Sequence, residues 1–158
     1  MSTTAKINGE ISFWFSQVND RPARPALERD IAADVVLVGA GYTNLWLAYY
    51  LKQARPDYDI VILESEVAGF GASSRNGGWI SYGLPGQHGR YAKTHGREAV
   101  RDFQREIFAT IDEIVEVAAR EGIDADIVKD GEVAIARNQA QLGRLREEYE
   151  SGAEWGFE

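Results

Sequence analysis

The most regular pattern in the chain lies in residues 34–64, which read DVVLVGAGYTNLWLAYYLKQARPDYDIVILE. Four consecutive apolar residues, Val35 to Val38, lead into two glycines separated by one alanine. An uninterrupted β-branched run of this kind is typical of a strand that is buried on both faces of a parallel sheet. A second apolar run, Ile60 to Leu63, ends at Glu64. The two runs therefore predict two neighbouring strands.

Between these runs the apolar residues recur with helical spacing, from Thr43 to Arg55. Pro56 disfavours a helical conformation at the residue before it, which predicts that the helix ends at Arg55. Apolar residues occupy two sides of this helix, so we expect both sides to be covered. Strand, glycine turn, helix and strand together predict a βαβ unit and an α/β fold.

The glycines at the end of the first strand have separate physical roles. Gly39 allows the chain to turn sharply, and Gly41 allows the backbone to approach a pyrophosphate. The helix that follows directs its free N–H groups and its positive dipole end at that anion. Glu64 is placed to accept hydrogen bonds from ribose hydroxyls, and its charge argues against a 2′-phosphate and hence against NADP. The pattern predicts an adenine dinucleotide site and leaves FAD and NAD as alternatives.

Asn44 stands where this motif ordinarily has a third glycine, which allows the helix to pack closely on the strand. A side chain there can push the helix outward and lengthen its hydrogen bonds to a phosphate. It can also face solvent or the cofactor and donate from its own amide near the start of the helix, where asparagine is well tolerated. We expect the first of these two arrangements, because the position normally takes the smallest residue.

The segment after the second strand adds a more specific signal. It contains Gly69-Phe70-Gly71-Ala72-Ser73 and then Arg75-Asn76-Gly77-Gly78. Together with Gly39-Ala40-Gly41-Tyr42-Thr43 and the aromatic Ser12-Phe13-Trp14, it resembles FAD-dependent oxidoreductases of the D-amino-acid oxidase and glycine oxidase superfamily, in particular the gamma-glutamylputrescine oxidoreductase-like amine oxidases. The resemblance covers nearly the whole chain. It implies non-covalent FAD and a Rossmann-like FAD-binding domain of the glutathione-reductase type.

The resemblance also implies a role for each motif. The backbone from Gly39 to Asn44 would meet the pyrophosphate, and Glu64 would hold the adenosine ribose. The segment from Ser73 to Arg75 would follow the pyrophosphate and ribityl chain, and Asn76 to Gly78 would lie beside the flavin. Turn chemistry for the serines and a surface ion pair for Arg75 remain alternatives. The predicted cofactor-binding residues are Gly39, Ala40, Gly41, Tyr42, Thr43, Asn44, Glu64, Ser73, Ser74, Arg75, Asn76, Gly77 and Gly78.

The rest of the chain predicts three further features. We expect the aromatic Ser12–Phe15 to dock on the folded body, although a partner or membrane wedge is an alternative. A long amphipathic helix is predicted from Thr94 to Glu121, and Asn138 with Gln141 resembles a capping box that opens a final helix. Asp130-Gly131 favours a tight hairpin turn between two strands within 128–135.

These features suggest three regions and an incomplete fold. We expect an N-terminal arm over residues 1–33, an FAD-binding domain over 34–124 and the beginning of an α+β substrate domain over 125–158. The resemblance further implies that the chain is an N-terminal portion of a longer enzyme and is inactive alone.

Composition excludes several functional classes. The 158 residues carry a net charge of −8, which disfavours binding to nucleic acid or to anionic membranes. There is no cysteine, so a disulfide, a thiolate metal site and a cysteinyl cofactor tether are excluded, and the two histidines, His88 and His95, are too few for a histidine-rich metal cage. We expect both histidines to be structural. No segment resembles a targeting signal or a membrane span, which predicts a cytoplasmic protein without a metal.

The resemblance implies a reaction as well as a cofactor. It implies oxidation of a C–N bond in a small-molecule amine or amino acid by hydride transfer to flavin, with oxygen or another compound as electron acceptor. Two alternatives remain, an NAD-dependent dehydrogenase domain and a non-catalytic remnant. The sequence assigns no catalytic residue, no particular substrate and no oligomeric state.

Overall fold

The computed structural model describes residues 12–18 and 24–157. The predicted arm, residues 1–33, is therefore described only in part, and its stretches 1–11 and 19–23 lie outside the described residues. The chain divides into two compact units, one that extends to Trp79 and one that begins at Ile80.

The first unit contains the predicted βαβ arrangement. Its elements are α1 (Phe13–Gln17), β1 (Val35–Val38), α2 (Tyr42–Ala54) and β2 (Ile60–Leu63). The two strands are parallel and pair in the register Val35↔Ile60 to Val38↔Leu63. Both predicted strands are confirmed, and the predicted helix is confirmed to within one residue at each end.

Local hydrogen bonds explain where these elements begin and end. The Asp34 carboxylate accepts from the Asp59 amide at 2.8 Å, and the Asp59 carbonyl accepts from the Asp34 amide at 3.0 Å, which aligns the starts of the two strands. Helix α2 ends before Pro56, as predicted. The Lys52 ammonium group closes this end by donating to the Pro56 carbonyl at 2.9 Å and to the Tyr58 carbonyl at 2.7 Å.

The burial of β1 differs from the prediction. Leu37 is buried, whereas the side chains of Val36 and Val38 are 52% and 79% exposed. Helix α2 packs on both strands but has no buried residue in the described part of the chain. The expectation that strand and helix are both covered on two sides is therefore wrong for the described residues. The reason is that the described sheet has two strands, and the face of β1 that carries Val36 and Val38 remains open.

The second unit is helical. It contains α3 (His88–His95), α4 (Arg97–Arg120) and α5 (Gln139–Trp155), and α4 packs against the other two helices. The predicted long helix from Thr94 to Glu121 is confirmed as α4, except at its start, because Gly96 has a φ of +84° and separates α4 from α3. The predicted cap of α5 is confirmed, since the Asn138 side chain accepts from the Gln141 amide at 2.9 Å.

The predicted hairpin within 128–135 is wrong. The structure assigns no strand to residues 123–136, and the side chains of Val128, Val133 and Ile135 are 81%, 83% and 77% exposed. An isolated two-stranded hairpin is only marginally stable in water, so the Asp-Gly turn signal is insufficient without a surface for the strands to cover. The described part of this unit is thus helical and does not show the expected beginning of an α+β domain.

None of the helices in the described ranges combines the length and the apolar character that crossing a bilayer requires.

The open face of β1 leads to a test of association. We expect the 158-residue chain to self-associate through this exposed apolar face. Val38→Thr should reduce the association, because it adds a polar group to an apolar, exposed position while preserving shape and β-propensity. The free energy of unfolding should change by less than about 0.5 kcal/mol. Sedimentation velocity and urea unfolding measure the two effects.

Leu37→Thr is the matched control, since Leu37 is buried in the same strand. It should leave association unchanged and lower the free energy of unfolding by about 1–3 kcal/mol, because a hydroxyl is buried without a partner. Equal effects of the two substitutions on association would contradict the prediction.

Candidate cofactor site

Gly39, Ala40 and Gly41, here called the glycine turn, connect β1 to α2. Gly39 has a φ of +93°, a conformation that side chains rarely adopt, and its amide donates to the Leu63 carbonyl at 2.6 Å. Gly41 is the N-cap of α2 and provides no side chain to cap the helix. The structure gives the N–H groups of Gly41, Thr43 and Asn44 no hydrogen-bond partner among the described residues. These donors and the helix dipole make the turn suitable for an anion.

Glu64 follows β2 and binds the glycine turn directly. Its Oε2 accepts from the Ala40 amide at 2.7 Å, and its Oε1 accepts from the Glu66 amide at 3.2 Å and from the Ser65 hydroxyl at 3.4 Å. The Ala40 amide is the main cause, and the Glu66 amide the next, of a pKa for the Glu64 carboxyl that is lower than its usual value. The carboxylate is therefore ionised beside the turn, where the sequence predicted it.

The segment from Ala72 to Gly78, here called the 72–78 segment, approaches the same turn. The Ser73 hydroxyl oxygen accepts from the Tyr42 amide at 3.0 Å, in the first turn of α2. A Cβ atom placed on Gly41 would lie 3.1 Å from that oxygen, a tight contact that would have to shift by a few tenths of an ångström. The Gly69 amide also donates to the Ala40 carbonyl at 2.8 Å. The structure thus brings together two of the predicted cofactor motifs.

A cavity of about 370 Å³ lies between the glycine turn and the 72–78 segment. Its walls offer backbone N–H donors and a serine hydroxyl, which match the acceptor oxygens of a pyrophosphate. The residues present therefore fit the phosphate part of a dinucleotide. The lining residues are Val38, Gly39, Gly41, Tyr42, Thr43, Asn44, Ala72, Ser73 and Asn76.

Ser74 and Arg75 contact the loop that precedes them. The Ser74 hydroxyl donates to the Gly69 carbonyl at 2.5 Å, which is the turn chemistry considered as an alternative. The Arg75 Nε donates to the Phe70 carbonyl at 2.9 Å, and its guanidinium carbon lies 4.9 Å from the centre of the Phe70 ring. Neither residue lines the cavity between the two motifs.

Trp14 in α1 docks on the far end of the 72–78 segment. Its indole N–H donates to the Asn76 carbonyl at 2.8 Å, and the Asn76 side-chain oxygen accepts from the Gly78 amide at 2.8 Å. Gly78 has a φ of +78°, and a Cβ atom there would lie 2.7 Å from Cζ2 of Trp14. The prediction that the aromatic segment docks on the folded body is confirmed. Its contact with this particular segment has no signal in the sequence.

The Asn44 side chain does not push the helix outward, and its amide donates to backbone carbonyls of the turn, an acceptor pair that neither expectation named. Its Nδ2 donates to the Val38 carbonyl at 2.7 Å and to the Gly39 carbonyl at 2.8 Å. The first helical hydrogen bond, from the Leu45 amide to the Gly41 carbonyl, is 3.1 Å, so the start of α2 is intact. The amide fits against the end of β1 as a donor, and the expectation of a displaced helix is not what the structure shows.

The histidine His88 has a structural environment, as expected. Its Nε2 lies 3.1 Å from the side-chain oxygen of Gln104, which is fully buried, and its ring stacks on Trp155. Within the described ranges, the structure shows no cluster of three histidine, aspartate or glutamate side chains that could hold a metal ion.

The family of the protein follows from comparison of the chain with known proteins. Residues 34–158 match the model of the DAO family, described as FAD dependent oxidoreductase, and the chain belongs to this family. This confirms the resemblance. FAD is the cofactor of the family, which decides between the two dinucleotides that the glycine motif left open.

Two relatives match most of this chain, and a third matches about a third of it. Gamma-glutamylputrescine oxidoreductase of Escherichia coli is 32% identical over 92% of this chain and 33% of its own length. Probable oxidoreductase OrdL of Haemophilus influenzae is 31% identical over 93% of this chain and 34% of its own length. A thiamine thiazole synthase of Emericella nidulans is 44% identical over 54 residues. The chain thus spans about a third of the first two relatives. No solved structure gives a significant match.

The contact between Trp14 and Gly78 leads to a prediction with a matched pair. Gly78→Ala should lower the free energy of unfolding by about 1–3 kcal/mol, because alanine is strained at positive φ and its Cβ would overlap the Trp14 ring. Urea unfolding measures the change.

Gly77→Ala is the control in the neighbouring residue. A Cβ atom there would lie 3.7 Å from the Trp79 ring, which is an ordinary contact, and φ is not in the left-handed region. This substitution should be neutral or stabilise by about 0.4–1 kcal/mol. If both variants unfold at the same urea concentration, Trp14 does not hold Gly78 as described.

Proposed function

We propose that the glycine turn, α2 and the 72–78 segment form a Rossmann-like site that binds FAD without a covalent bond. The observation that carries this proposal is the cavity in which free N–H donors of α2 and the Ser73 hydroxyl face the same space. A dianionic pyrophosphate is the part of FAD that these donors suit. The family assignment supports the same cofactor.

The donors of the site have distinct tasks in this proposal. The N–H groups of Gly41, Thr43 and Asn44 would bind pyrophosphate oxygens at the positive end of α2. Ser73 accepts from the Tyr42 amide through its oxygen, so its own O–H proton remains available for a phosphate oxygen. A glycine at position 41 keeps that hydroxyl close to the helix.

Glu64 would bind the adenosine ribose. Its Oε2 is engaged by the Ala40 amide at 2.7 Å, whereas Oε1 makes only the longer contacts of 3.2 and 3.4 Å. A carboxylate has about four lone-pair sites, so Oε1 can accept a further hydrogen bond from a ribose hydroxyl. One side chain would thereby join the glycine turn to the sugar.

The remaining predicted residues would contact the rest of the cofactor. Ser74 and Arg75 hydrogen-bond to the loop that precedes them and would lie along the pyrophosphate and ribityl chain. The backbone of Asn76 to Gly78 would lie beside the flavin ring. Asn76 supports this role, because its side chain donates to the Ser73 carbonyl at 2.8 Å and holds the Gly78 amide. The 72–78 segment is therefore rigid where a flat ring would lie against it.

We further propose that the protein oxidises a C–N bond in a small amine or amino acid. Support comes from the relative named gamma-glutamylputrescine oxidoreductase, which matches 92% of this chain. When bound, FAD would accept the hydride that the amine-bearing carbon loses, and water would hydrolyse the resulting imine. The contribution of this chain to the reaction is to bind and orient the cofactor, and no described residue is assigned to proton transfer.

The cofactor proposal is tested on the protein as expressed from its gene. The purified protein should be yellow and release FAD on denaturation, and NAD should not compete for the site. Anaerobic addition of gamma-glutamylputrescine, glycine or D-amino acids should bleach the flavin absorption for one of these substrates. A folded protein that takes up no FAD would refute the cofactor proposal, and a flavoprotein that only non-amine substrates reduce would refute the C–N proposal.

The proposed role of Glu64 gives a paired prediction. Glu64→Gln preserves shape but loses the negative charge and one acceptor beside the ribose, and we expect FAD binding to weaken by about tenfold or more. Glu66→Gln makes the same change of charge two residues away, where only the backbone amide contacts Glu64. It should bind FAD like the parent, and a fluorescence titration measures both affinities.

The charge of Glu64 also predicts a pH dependence. Its pKa is lowered in the folded chain, so its contribution to stability is complete above the usual pKa of 4.5 and is lost as the pH falls through the lowered value. Unfolding temperatures of the parent should fall more steeply below pH 4.5 than those of Glu64→Gln. Parallel pH profiles would show that the contact between Glu64 and Ala40 does not stabilise the turn.

A further inference from the structure

Asn44 occupies the third position of α2 and joins three pieces of the site. One side-chain nitrogen donates both to the carbonyl of the last residue of β1, Val38, and to the carbonyl of Gly39. The distances of 2.7 and 2.8 Å are those of good N–H···O hydrogen bonds. The side chain therefore connects the first turn of α2 to the last residue of β1 and to the first residue of the glycine turn.

These two hydrogen bonds act on the part of the site that has the most backbone freedom. Glycine has more backbone freedom than any other residue, and Gly39 adopts a φ of +93° that must be maintained. The two carbonyls also carry partial negative charge close to the cavity that lies along the turn. An amide that donates to both carbonyls fixes the backbone and at the same time reduces the repulsion that they exert on an anion.

We propose that Asn44 is a positioning residue that holds the glycine turn in its cofactor-binding conformation before FAD arrives. A turn that is already ordered loses less entropy when the ligand binds, which raises affinity. A glycine at position 44 cannot make these two hydrogen bonds. The inference rests on the proposed binding of FAD, but the ordering of the turn is a property of the cofactor-free chain.

Asn44→Gly and Asn44→Ala distinguish this proposal from a steric role. If the side chain only crowds the helix, removing it should tighten FAD binding. If it positions the turn, both variants should bind FAD about tenfold more weakly, a change of about 1.4 kcal/mol. Amide hydrogens of residues 39–42 should also exchange with deuterium several-fold faster in the cofactor-free variants. Gln53→Ala, a control on the exposed side of α2, should leave both measurements unchanged.

Asn44→Asp adds a test in which the helix dipole and the positioning role predict opposite changes in stability. An acidic residue in the first turn of a helix is ordinarily stabilising, because it interacts with the helix dipole. At this position the carboxylate would replace the donor and face the carbonyls of Val38 and Gly39. We therefore expect a lower unfolding temperature for the cofactor-free variant.

The outcomes separate this inference from the proposed function. A parent protein that binds no FAD refutes the proposed function and the role in affinity, while hydrogen exchange still decides whether Asn44 orders the turn. A parent that binds FAD together with an Asn44→Gly variant that binds it equally or more tightly overturns the positioning role. Unchanged exchange at residues 39–42 in both the glycine and the alanine variants, or a more stable Asn44→Asp variant, also overturns it.

Discussion

The φ of +93° at Gly39 determines the path of the chain after β1. This backbone angle turns the chain so that α2 begins directly after the end of the strand, with its unpaired N–H groups beside the carboxyl edge of the sheet. Three contacts from distant parts of the sequence then fix the turn. The Leu63 carbonyl, the Glu64 carboxylate and the Gly69 amide each bind a backbone group of Gly39 or Ala40. Any residue other than glycine at this position would be strained.

The same turn divides its donors between the protein and a ligand. Ala40 gives its N–H to a resident carboxylate, and Tyr42 gives its N–H to a serine hydroxyl. The N–H groups of Gly41 and Thr43, which alternate with those of Ala40 and Tyr42 along the chain, have no hydrogen-bond partner in the described part of the chain. Internal acceptors therefore stabilise the turn without consuming the donors that an anion requires. This alternation would allow the chain to order the proposed anion site in the absence of the anion.

Much of this unit could be predicted from sequence because its signals are local. The period of the apolar residues, the proline after α2 and the paired glycines each act within a few residues. The docking of Trp14 on the 72–78 segment could not be predicted, since the hydrogen bond from Trp14 to Asn76 joins residues 62 positions apart. The opposite failure occurred at Asp130-Gly131, where a local turn signal was present but no surface was available for the strands. Gly96 was missed for a related reason, because helical periodicity continues across a residue that nevertheless adopts a φ of +84°.

The Asn44 side chain shows that the third position of the glycine motif requires close packing of α2 on β1 and does not require glycine itself. The motif needs the start of α2 to lie close to the end of β1, and glycine achieves this by having no side chain. Asparagine achieves it differently, because its amide makes hydrogen bonds to the two carbonyls that a larger apolar group would collide with. A side chain of similar size without the two N–H bonds, such as leucine, would leave the Val38 and Gly39 carbonyls without these donors. In this chain, a polar side chain that donates to both carbonyls can therefore stand in the place of glycine.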